Sequence, residues 1–145
     1  MLNLVRETIE GIRQRSRHKS FVDAAMAACA MVALADDEQR LSELVTRDRV
    51  LVRIDELGSI DHQQAVAVYD EYAEAIRRDP GRGREQALAA IGAFASDREG
   101  AELLVRMCVA VGRSDQTFSA TERSTVEAIC KRLNIHPGDL GVYDL

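Results

Sequence analysis

Apolar residues recur along this chain at spacings of three and four, the period of a helix packed on one side. Leu2, Val5, Ile9 and Ile12 predict an amphipathic first helix that ends near Arg17 and keeps its arginines on the wet side. Ser20 can cap a second helix running to about Ala35. Its near-continuous Ala, Val, Met and Leu content predicts neighbours on every side. Val50, Ile54 and Leu57 keep helical spacing in a third helix that Gly58 is placed to stop. Asp61 followed by Gln64 forms a capping-box pattern at the start of a fourth helix with the stripe Ala65, Val68, Tyr69, Tyr72, Ala73 and Ile76. The Asp79-Pro80-Gly81 breaker ends that stripe.

A fifth helix follows with Ala87, Leu88, Ile91, Phe94 and Ala95 inward. Ser96 and Glu99 suggest another capping box, ahead of a sixth helix from about Asp97 to Gly112 that reads as apolar nearly all round. Ser119 and Glu122 repeat the device before a seventh helix with Val126, Ile129, Cys130 and Leu133 at i, i+3, i+4 and i+7. Asn134 is expected to end it before the turn Pro137-Gly138-Asp139-Leu140. No Val, Ile, Thr or aromatic run alternates with polar residues over a strand's length, so no sheet is predicted. Both prolines, Pro80 and Pro137, stand where a helix can begin.

The segments CAMVALADDEQRLSE (29–43) and CVAVGRSDQTFSATE (108–122) align without a gap, each residue 79 positions from its counterpart. Cys29 pairs with Cys108, Asp36 with Asp115 and Glu43 with Glu122. The same offset pairs Val50 with Ile129 and Ile54 with Leu133. In each unit an apolar helix ends at an aspartate, a short polar loop follows, and a glutamate opens the next helix. The expected fold is therefore all-α, about seven helices in a pseudo-duplicated bundle with two central apolar helices. Residues 1–19 are expected to form a basic amphipathic N-terminal helix, and residues 20–145 the bundle.

These loops resemble those of the tellurite-resistance TerB family, in which a central helix ends in Ala-Asp-Gly or Ser-Asp-Gly and a Ser and a Glu open the next helix. LGSIDHQQAVAVYDEYAEAI and the ending VEAICKRLNIHP are similar to that family too, so the likeness runs from about Lys19 onward. It implies an all-helical, non-catalytic domain that binds protein partners, some of them membrane-associated, in tellurite-resistance or wider chemical-stress systems. It also implies a divalent-cation or partner site in the acidic loops, at Asp36, Asp37, Glu43, Asp115 and Glu122. Asp37 and Gln116 stand where the family has glycine, and Gln39 and Arg40 replace an apolar-Ser pair, which weakens the first loop as a site.

The chemistry leaves three readings of these carboxylates. Capping comes first, because Glu122 is the third residue after Ser119 and a carboxylate at a helix start is favourable by about 0.3–1 kcal/mol. A cation such as calcium is second: it takes about six to eight oxygen ligands, which two neighbouring loops could supply in part. Neither loop has the twelve-residue calcium-loop signature. A surface for a basic partner is third. The runner-up functions are a metal-dependent enzyme or metal carrier and a membrane-surface adaptor.

Charge sharpens the partner class. The net charge of −5 argues against nucleic acid, whose backbone is held by clustered Lys and Arg. Against that balance, residues 1–20 place Arg6, Arg13, Arg15, Arg17 and Lys19 beside Glu7 and Glu10, a basic end read as partner-binding. That helix can pack on the bundle or lie on an anionic membrane, and packing is the preferred reading. Cys29, Cys108 and Cys130 lie in apolar stretches without Cys-x-x-Cys spacing and read as core thiols. His18, His62 and His136 are too scattered for a zinc or iron centre, and Gly81-Arg82-Gly83 lacks the Lys-Ser/Thr of a nucleotide loop. An anion held by Arg82 or Arg84 at that helix start is a minor alternative. No secretory signal stands at the start, and Phe21 to Ala35 is shorter than the roughly 20 residues that cross a bilayer, so a cytoplasmic location is expected.

Overall fold

Helices account for every regular element among the residues that the computed structural model describes, which are 19–35, 48, 52, 61–114 and 120–140. The first described element, α1, is helical over residues 19–33. It is followed by α2 (His62–Arg78), α3 (Pro80–Gly92), α4 (Arg98–Ser114), α5 (Ala120–Arg132) and a 3-10 turn at Pro137–Leu140. No strand occurs among the described residues. The expected first helix and the stripe Val50, Ile54 and Leu57 of the third lie outside them, so the count of seven is carried only in part. Asp48 and Val52, the described positions within the third span, are both helical.

Helix α1 is the centre of the bundle. From Ala24 to Val32 every residue is at most 5% exposed. Nine consecutive buried positions pass more than twice round a helix, so α1 has neighbours on all sides over that length. Alanines at five of those positions let surrounding backbones approach closely, while Met26, Cys29, Met31 and Val32 fill the wider gaps. The expected all-round apolar character of the sixth helix needs correction. In α4, Ala101, Leu104, Val105, Met107, Cys108 and Val109 are buried, but Arg98, Glu99 and Arg106 are exposed. This central helix keeps a wet side, because its charges recur about two turns apart.

Helices α2 and α3 form a tight hairpin joined at one residue. Asp79, in extended conformation, ends α2 with its N–H donating to the Ala75 carbonyl and starts α3 with its carboxylate accepting from the Arg82 N–H at 3.3 Å. Pro80 then occupies the first turn of α3, where a missing N–H costs nothing. The two helices close on each other at Gly83: a Cβ built there would lie 2.5 Å from the Ile76 Cα. On α2 the buried stripe is Ala65, Tyr69, Ala73 and Ile76, with Val68 and Tyr72 half-buried at its edges. Helix α5 bridges α3 and α4, and the 3-10 turn lies against α4.

The helix ends follow local chemistry. Asp61 caps α2 by accepting from the Gln63 and Gln64 N–H groups. The cap of α4 is Asp97 rather than the expected Ser96. Its carboxylate accepts from Gly100 N–H at 3.1 Å, one residue later in the frame than the Ser96–Glu99 pattern. Ala95 is likewise exposed rather than inward, since α3 stops at Gly92 and the chain turns away after Phe94. Helix α5 ends as expected at Asn134, in the left-handed region at φ 57°. Ile135 N–H donates to the Cys130 carbonyl and Asn134 N–H to the Lys131 carbonyl, the paired bonds of a Schellman motif.

Two positions that the 79-residue offset equates, 21 and 100, both pack against Phe94. Phe21, at the start of α1, meets Phe94 edge to face with ring centroids 5.8 Å apart. Gly100, the counterpart of Phe21 in α4, sits so close that a Cβ there would lie 2.7 Å from the same Phe94 ring. The beginnings of the two central helices therefore share a single aromatic wedge.

Replacing Gly83 with Ala is expected to force α2 and α3 apart and lower stability by about 1–3 kcal/mol. Gly81→Ala, where the nearest atom is 3.7 Å away, should change it by less than about 1 kcal/mol. Urea midpoints followed by circular dichroism compare the two, and equal midpoints would contradict the close approach.

Candidate functional site

The two acidic segments follow the described stretches of the central helices in the chain. Helix α1 is helical to residue 33, and its last turn tightens as Ala35 N–H donates to the Val32 carbonyl at 3.3 Å, so Asp36 follows directly. Helix α4 runs to Ser114, and Asp115 follows directly. Asp36, Asp37, Glu43 and Asp115 lie outside the described residues. Glu122, the remaining predicted ligand, is half-buried in the first turn of α5, the position at which a carboxylate meets the positive end of the helix dipole. Among the described residues no three His, Cys, Asp or Glu side chains gather to hold a metal ion.

At the basic end, Lys19 is exposed in the first described turn of α1, and Arg6, Arg13, Arg15 and Arg17 lie outside the described residues. No helix among the described residues is long and apolar enough to cross a membrane.

A polar tether ahead of the first acidic loop is the feature that sequence reasoning missed. Asp23, half-buried on α1, accepts a hydrogen bond from the Tyr72 hydroxyl of α2 at 3.0 Å. Burial, followed by the bond to Asp23, pushes the Tyr72 phenol above its ordinary range, which keeps it protonated and donating. The bond fixes the axial position of α1 against α2. The available signal was Asp23 itself, an acid inside the Phe21–Ala35 stretch, but nothing in the sequence names its partner 49 residues away.

Other polar groups lie at helix ends or pair within and between helices. His62 opens α2 and is exposed. His136 is also exposed, and its Nδ1 accepts from Gly138 N–H at 3.2 Å within the last turn. Arg132 crosses from α5 to Glu85 of α3 at 3.2 Å, and its stem would meet a Cβ at Gly92. Arg78–Glu74 and Arg98–Glu102 are exposed pairs one helical turn apart, each worth about 0.3–0.5 kcal/mol. At Gly81-Arg82-Gly83, Asp79 accepts from one first-turn amide and Gly83 packs on Ile76, so the segment serves as a helix start.

All three cysteines are buried, and none of them is in a disulfide. Burial, with Cys130 nearby as a second cause, pushes the Cys108 thiol up to about 12. Burial, with Glu127 as the second cause, pushes Cys130 up to about 11. Such thiols stay protonated near neutrality and are poor nucleophiles or metal ligands.

A folded-state pKa above the unfolded value means that the folded chain holds the proton longer, so the associated stability is complete below the ordinary thiol value of 9.0. It is lost as pH climbs through 11 towards 12. Tyr72 acts in the same direction above its ordinary 10.0. Urea midpoints should therefore fall between pH 9 and 11, with a shallower decline in Cys108→Ala and in Tyr72→Phe. A decline in both variants as steep as in the unaltered chain would assign the alkaline loss to other groups.

The family model described as "Tellurite resistance protein TerB" matches residues 22–143, nearly the whole chain and both acidic loops. Neither a curated protein nor a solved structure matches.

Proposed function

The chain belongs to the family of tellurite resistance protein TerB, and from that premise we propose that it is a non-catalytic binding and scaffold domain of a tellurite-resistance or wider chemical-stress system. The match over residues 22–143 carries this reading, because it takes in both repeated units rather than one loop. The domain works in the cytoplasm and holds protein partners through two surfaces of opposite charge. Arg6, Arg13, Arg15, Arg17 and Lys19 form the basic one. The acidic one, at Asp36, Asp37, Glu43, Asp115 and Glu122, holds a divalent cation of the calcium type. Carboxylates recurring at one sequence offset after two equivalent helices support a shared oxygen-rich site.

Titrating calcium against the thermal midpoint tests the cation. A specific site raises stability with concentration, by about 2.7 kcal/mol at one hundred times the dissociation constant. Asp115→Asn and Glu122→Gln should each weaken the response at least tenfold in apparent affinity. No shift at millimolar metal would remove the cation.

The scaffold role is read in the native host. A partner should co-purify in fixed ratio during tellurite exposure and be lost when Arg6, Arg13, Arg15 and Arg17 are changed to Glu. Tellurite tolerance should fall with it. Tolerance restored by that variant without the partner would overturn the scaffold role.

A further inference from the structure

We draw no further inference here: the strongest candidate, the arginine-rich corner of Arg77, Arg78, Arg82 and Arg84 where α2 meets α3, rests on a helix N-terminus that Asp79 already caps, and nothing else there points to an anion.

Discussion

A helix with no wet side must be surrounded, and the burial of α1 from Ala24 to Val32 imposes that requirement on the rest of the domain. The neighbours that enclose it have to approach closely, which the alanines permit, and have to be held at a fixed height. The Tyr72–Asp23 bond holds α2 along the axis of α1, and the edge-to-face contact of Phe21 with Phe94 holds the segment between α3 and α4. The α2–α3 pair is closely joined in its own right. One aspartate serves both helix ends, and Gly83 brings the backbones together over Ile76.

Much of this was legible in the chain, because it depends on short-range rules. Asp61, Asp79-Pro80 and Asn134 mark helix ends through bonds to amides or carbonyls a few residues away, and the structure uses each of them as expected. The stripe Ala65, Tyr69, Ala73 and Ile76 shows the helical period directly. The misreadings occur where two local solutions compete or where a third element decides. Ser96 and Asp97 can both cap α4, and the aspartate that stands directly before Arg98 does so. Ala95 looked inward only if α3 continued past Gly92. Apolar content alone could not separate the fully enclosed α1 from α4, whose Arg98, Glu99 and Arg106 keep one side in water.

The candidate site was legible as a pattern and less so as a geometry. Asp36 and Asp115 are recognisable because each follows an apolar run at the same offset, and both lie outside the described residues, after the last described turns of α1 and α4. Which oxygen atoms converge depends on how two helix ends are disposed in space, and sequence spacing carries no such information. Glu122 illustrates the difference: its place in the first turn of α5 satisfies helix electrostatics whether or not it also serves a ligand. The buried thiols are clearer, since three cysteines within apolar runs had one economical reading and the structure encloses all of them.

Phe94 ties the residue sizes at the starts of α1 and α4 to each other. An aromatic ring at position 21 meets it edge to face, and position 100 lies so close that only a glycine fits, so bulk at the start of α1 goes with its absence at the start of α4. The two positions are therefore not interchangeable: a side chain at 100 would collide with the Phe94 ring, and a glycine at 21 would strip that ring of its edge-to-face neighbour.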